Sequence, residues 1–219
     1  LAFTLFSCEE DKNYLPKPYG FSRISLPEPA YQTLEADYPF MRYFSKGIPK
    51  QSLLSEFTNR LPEKYPYTFE YSRHAVIRPD SSAQREPYWI ELYYPELKAT
   101  VHLTTKFVGD RQEAFEDYVN DAHTLVTKHG VRLQNIAEST DSTANGLGRR
   151  IYQLEGDVPT TFQCVVTDTS YNFFRAALYV PYSDKNDSIA PILDYVRNDI
   201  MHLSSTLKFR DIGQYKSLP

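Results

Sequence analysis

Tyr88-Trp-Ile-Glu-Leu-Tyr-Tyr-Pro-Glu-Leu-Lys-Ala-Thr-Val-His-Leu-Thr-Thr-Lys106 is the stretch on which the fold turns. Its first run, Tyr88 to Tyr94, is rich in the aromatic and β-branched residues that fit a pleated surface. Its second run alternates apolar Ala99, Val101 and Leu103 with polar Thr100, His102 and Thr104. A period of two sends one set to a core and the other to the opposite face. Pro95-Glu-Leu-Lys98 breaks the pattern between the runs, so the pair reads as a β-hairpin.

Working outward, Thr68 to Ile77 also has strand composition, and three more strands are expected around 148–156, 160–167 and 171–180. Asp168-Thr-Ser170 is the turn between the last two. Gly146-Leu-Gly148 precedes a strand rather than a helix and lacks the third glycine of a dinucleotide loop, so it reads as a hairpin turn. Two segments change period to 3.6. Asp110-Arg-Gln-Glu113 fits a capped helix start, Phe115, Tyr118, Val119, Ala122, Leu125 and Val126 follow at helical spacing, and Gly130 ends the run. Asp187 or Ser188 starts a second helix with Pro191 in its first turn. Its apolar face is Ile189, Ile192, Leu193, Val196, Ile200, Leu203 and Leu207. The fold class expected is therefore α+β: a mainly antiparallel sheet covered by two amphipathic helices.

The N-terminal part is different in kind. Leu1 to Phe6 is apolar and uncharged, and Ser7-Cys8 then gives way at once to Glu9-Glu10-Asp11. Leu5-Phe6-Ser7-Cys8 resembles a bacterial lipobox, in which the cysteine is acylated and becomes the first mature residue. Residues 1–7 are then the remnant of a signal peptide. The alternative is a buried strand with Cys8 bonded to Cys164; the abrupt acidic switch fits a processing boundary better. Cys164, on an apolar strand pattern, reads as an inert buried thiol. Residues 8–66 form a lipidated arm that Pro16, Pro18, Pro27, Pro29 and Pro39 keep extended. Its Tyr14, Tyr19, Phe21, Ile24, Tyr31 and Phe40 seek burial, so the arm is expected to pack on the body. Lys50 to Leu61 adds a short helix. A single domain over 67–210 and a tail over 211–219 complete the chain.

Composition narrows the function. Hydrophobic residues make up 41% and aromatic residues 15%, too many for a disordered chain. The mean hydropathy of −0.51 and the lack of any run near ~20 apolar residues argue against a spanning helix. A net charge of −4 with scattered Lys and Arg argues against nucleic acid. The five histidines show no metal-ligand spacing: His123 and His129 fall on different helix faces, and His102 sits on the polar side of a strand. A nucleophile elbow, a phosphate loop and a metalloprotease motif are all missing, and Asp184-Lys-Asn-Asp187 lacks the later residues of a calcium loop. No catalytic residue, cofactor or metal is expected.

Several stretches together resemble one family. They are Pro16-Lys-Pro-Tyr-Gly-Phe-Ser-Arg-Ile-Ser-Leu-Pro27, Tyr88-Trp-Ile-Glu-Leu-Tyr-Tyr-Pro95, Phe162 to Thr169, Phe174-Arg-Ala-Ala-Leu-Tyr179, and the helix from Asp187 to Ile200. The family is the gliding-motility lipoprotein GldD of the Bacteroidota. The resemblance implies a lipoprotein of the cell envelope, needed for gliding and for the linked type IX secretion system, with no known catalysis. The order of strands and helices also resembles the PsbP-like α/β/α sandwich, a fold-level analogy. The expectation is thus a non-enzymatic accessory protein, tethered through Cys8 to a membrane (the outer one, on its periplasmic or surface face). Its partners would be other gliding or secretion proteins. Tyr14, Tyr19, Phe21, Arg23 and Trp89 are candidate interface residues, though the arm residues equally serve to dock on their own domain. A second hypothesis is a ligand-binding lipoprotein whose Tyr88, Trp89, Tyr93 and Tyr94 stack on a carbohydrate or small molecule.

Overall fold

Six antiparallel pairings, from Val76 to Tyr179, build one seven-stranded sheet, most of its strands marked by alternating apolar residues. The computed structural model describes residues 25–39, 64–81, 86–107, 133–156, 158, 160–181 and 189–210. Within them lie β1 (Tyr31–Thr33), β2 (Tyr67–Thr68), β3 (Glu70–Ser72), β4 (Val76–Pro79), β5 (Ile90–Tyr94) and β6 (Ala99–Phe107). There follow β7 (Leu133–Ser142), β8 (Gly148–Gly156), β9 (Thr160–Thr167), β10 (Asn172–Tyr179), helix α1 (Ala190–Thr206) and β11 (Lys208–Phe209). The large sheet has the order β4-β5-β6-β10-β9-β8-β7, and β1-β3 and β11-β2 form two small ribbons.

The core lies between this sheet and α1. Ile90, Leu92 and Tyr94 of β5, Ala99, Val101 and Leu103 of β6, Phe174, Ala176 and Leu178 of β10, and Phe162, Cys164 and Val166 of β9 all face it. The helix answers with the apolar stripe its periodicity predicts, Ile189 through Leu207. Each fully buried side chain of this size contributes about 1.5–3 kcal/mol. Tyr67, Phe69 and Phe174 extend the core as an aromatic cluster with centroids 5.3–5.9 Å apart, the spacing of favourable edge and offset contacts.

Among the described residues, the expected sandwich, a sheet covered by two helices, is not what is found. The described residues are 52% strand and contain one helix, α1. The segment expected to form the other helix, 110–130, lies outside the described residues, as do the short helix expected over 50–61 and the tail. The shift toward β has a physical cause. β7 is not foreseeable from its residues, because Leu-Gln-Asn-Ile-Ala-Glu-Ser-Thr-Asp-Ser has no alternation to read. It is an edge strand, exposed from Ala137 to Ser142, and packs little side chain on either face. β1 and β11 escape notice for a related reason: two- and three-residue strands are defined by their partners, not by a local pattern.

Residues 25–39 dock on the body. Tyr31, Gln32 and Thr33 pair with Ser72, Tyr71 and Glu70, Leu34 N donates to Phe69 O at 2.9 Å, and Tyr65 N donates to Ala36 O at 2.8 Å. The Tyr31 ring stacks on His202 of α1 at 3.7 Å. Its hydroxyl donates to Asp199 Oδ1 at 3.0 Å, and Tyr94 donates to Oδ2 of the same carboxylate at 3.0 Å. Asp199, itself buried, thus ties arm, sheet and helix together.

Candidate functional site

The face of the sheet opposite α1 carries the polar chemistry. Register aligns Arg78, Glu91, His102, Ala177, Gln163, Tyr152 and Glu138 in one row across all seven strands. Cross-strand neighbours of this kind point to the same side with Cβ atoms about 4.5–5.5 Å apart. A small apolar group, Tyr152 and Leu154 of β8, Val165 of β9 and Phe173 of β10, lies beside this row. The β4–β6 end is charged.

There three side chains converge. His102 Nδ1 lies 3.5 Å from Asp80 Oδ2 and Nε2 lies 4.0 Å from Glu91 Oε1. The side chains of Asp80 and Glu91 are only 3% and 9% exposed, and that of His102 29%. Ser81 donates to Glu91 Oε1 from its amide at 3.1 Å and from its hydroxyl at 2.6 Å. Tyr179 meets the His102 ring edge-on at 4.7 Å. Nearby, Arg175 Nε donates to Gln163 Oε1 at 2.8 Å, and burial lowers the guanidinium pKa against the opposing effect of Tyr179. One imidazole and two carboxylates, largely out of water, can share a proton, form a buried ion pair, or hold a cation.

Of the residues singled out in the sequence, Cys8, Tyr14, Tyr19, Phe21 and Arg23 lie outside the described residues, as do His123 and His129. Trp89 borders the charged cluster: its Nε1 donates to Thr105 O at 2.9 Å, its carbonyl accepts from Asp80 N at 3.3 Å, and Lys106 Nζ sits 5.1 Å over its ring. Lys106 is also ion-paired with Glu86. Trp89 is half-buried, whereas Tyr88 and Tyr94 are core residues and cannot stack on a ligand. Tyr93 faces outward beneath Arg78 at 3.4 Å. Tyr88 has φ 66°, a costly conformation for a bulky residue, and its carbonyl accepts the buried Tyr67 hydroxyl at 2.5 Å. A cleft of about 310 Å³, lined by Gln134, Leu154, Thr161, Leu193 and Arg197 among others, lies toward β7–β9 and α1, away from the tyrosine-rich hairpin.

Cys164 is a free, buried thiol, as its strand pattern predicts, and burial pushes its pKa up to about 12. The charged cluster is not visible in the sequence pattern. There His102 is an isolated residue on a polar face, and Asp80 stands in a stretch that suggests nothing. One signal is available: a four-residue turn that sets Tyr94 opposite Ala99 also sets Glu91 opposite His102. Asp80 joins only through the pairing of β4 with β5.

Among the described residues, fold and site together define a mostly β architecture, an antiparallel sheet with a helix on one face and a titratable polar row on the other. Among the described residues no helix is long and apolar enough to cross a membrane. The chain belongs to the gliding motility lipoprotein GldD family, whose model matches residues 45–209. That span includes the whole seven-stranded sheet, the charged cluster and α1. The family is one of lipoproteins, membrane-anchored proteins of the cell envelope. No curated protein sequence matches the chain.

Proposed function

We propose that this protein is a lipid-anchored accessory component of gliding motility and of the linked type IX secretion system, acting without catalysis by binding other envelope proteins. The observation that carries this reading is the family match over residues 45–209. The anchor is Cys8, whose Leu5-Phe6-Ser7 context resembles a lipobox. Each methylene buried in the bilayer contributes about 0.8 kcal/mol, and two or more chains make the attachment stable. We place the anchor in the outer membrane. The route from anchor to body is short, since the arm is already paired to the domain at Tyr31; even fully extended, the chain from Cys8 to Tyr31 reaches at most about 80 Å.

Binding of partners is supported by the exposed edge strand β7, which among the described residues pairs only with β8. Such an edge presents unpaired backbone groups that an extended partner segment can complete. The test is a Cys8→Ala variant expressed at native level. It should leave the membrane fraction and lose gliding and secretion, while the wild-type protein, solubilised in detergent, co-purifies with motility or secretion components. Retained motility with a soluble Cys8→Ala protein, or a wild-type protein that co-purifies with none of them, rejects the proposal.

A further inference from the structure

We propose that Asp80, Glu91 and His102 form a binding site for a single divalent transition-metal cation, Zn²⁺ foremost, on the sheet face opposite α1. Each residue offers one ligand atom, and these atoms all lie within 4.8 Å of one another. Ligands held about 2.0–2.2 Å from a common tetrahedral centre are roughly 3.4 Å apart. Drawing the ligand atoms together by up to about 1.4 Å therefore closes the set. The imidazole stands on β6, third of the seven strands, with Tyr179 against its ring. Its Nδ1 faces Asp80 and its Nε2 faces Glu91, so the ring adjusts together with the carboxylates to present one nitrogen to the ion.

The donor chemistry selects the ion. One imidazole nitrogen with two carboxylate oxygens suits Zn²⁺ and its neighbours, whereas Ca²⁺ and Mg²⁺ prefer oxygen alone. Burial supplies the driving force. Acidic residues that cluster in water need no cation, but the Asp80 and Glu91 side chains are 3% and 9% exposed. Two carboxylates so close in a dry setting repel one another. A divalent cation bound between them relieves that repulsion. Glu91 is also held in place, because Ser81 engages its Oε1 twice and orients the carboxylate as outer-shell donors do around metal ligands. Three protein ligands leave a fourth position open.

The test uses the full-length lipoprotein in detergent, stripped with a chelator. Isothermal titration with Zn²⁺ should give one saturable site per chain, and Co²⁺ in its place should show the visible absorption of a tetrahedral ion. His102→Ala and Glu91→Gln should each weaken Zn²⁺ binding at least 100-fold, beyond the ~10–100-fold typical of outer-shell losses. Zn²⁺ should raise the melting temperature of the wild type and not of the variants. Circular dichroism checks the fold, and Glu91→Gln, which keeps the side-chain shape, decides the matter if His102→Ala does not fold. Three results overturn the proposal: no saturable uptake by the wild type at about 100 μM Zn²⁺, uptake unchanged in both variants, or uptake of Ca²⁺ as tight as that of Zn²⁺.

Discussion

Removing one oxygen atom, by Tyr31→Phe, should loosen the arm from the body. The ring stacks on His202 at 3.7 Å with planes 14° apart, and phenylalanine keeps that contact. What disappears is the hydrogen bond to Asp199 Oδ1 at 3.0 Å, leaving Tyr94 on Oδ2. A hydrogen bond to an ionised group contributes about 1.5–3 kcal/mol. Tyr31 is half-buried and water can replace part of the loss, so the lower end applies, about 1.5 kcal/mol. Tyr94 is buried, and Tyr94→Phe belongs near the upper end. The pH dependence has a definite sign. Burial raises the Asp199 pKa above its ordinary value, against the lowering effect of Tyr31, Tyr94 and Ser72. A carboxyl with a raised folded-state pKa favours folding most below its unfolded value of about 3.9, and that contribution is lost as pH rises through the folded value. Deleting a donor to the carboxylate raises the pKa further, so both variants should lose more stability at pH 7 than at pH 4. Urea denaturation at the two pH values measures this. Amide exchange in β1 reads the local effect, with about tenfold faster opening per 1.4 kcal/mol. A Tyr31→Phe loss below about 0.5 kcal/mol at pH 7, or a loss greater at pH 4, would refute the reasoning.

The packing sets three further outcomes. Asp168 Oδ1 accepts from the amides of Ser170, Tyr171 and Asn172 at 2.8–3.1 Å, and beside it Thr169 holds φ 63°. Burial pushes this carboxyl up but those hydrogen bonds outweigh it and lower its pKa. Asp168→Ala should therefore cost about 2 kcal/mol at neutral pH, falling as acid protonates the wild-type carboxylate, as thermal melts across pH will show. Arg149 bonds Asp141 through Nε at 2.8 Å and donates to Ser204 and Ser205 at 3.0 Å each. Asp141 is half-exposed and returns to water, so Arg149→Met should cost about 2 kcal/mol rather than the larger sum of a fully buried pair; chemical denaturation measures it. Cys164, held as a thiol by burial, should resist a thiol reagent such as DTNB in the native protein and react one-to-one once unfolded; rapid native labelling would contradict its burial.

The hairpin from Tyr88 to Lys106, the strands β8 to β10, the Asp168 turn and the core face of α1 are legible in the sequence. In each, the residues that decide the structure are near neighbours, and period two or 3.6 is a local property. Burial of Cys164 follows from the same alternation, and the family resemblance is likewise a property of the linear order. Tertiary structure decides the rest. β7 forms because β8 offers a ladder, since its own residues show no preference. The arm is held by Asp199, which is 168 positions from Tyr31, a separation no local pattern can report. The larger share of strand among the described residues than the two-helix sandwich implied comes from strands of this kind, defined by their partners. The cluster at Asp80, Glu91 and His102 arises from the register of three strands. Sequence places His102 on a polar face, and only the folding of the hairpin and the addition of β4 give it two buried carboxylates as neighbours.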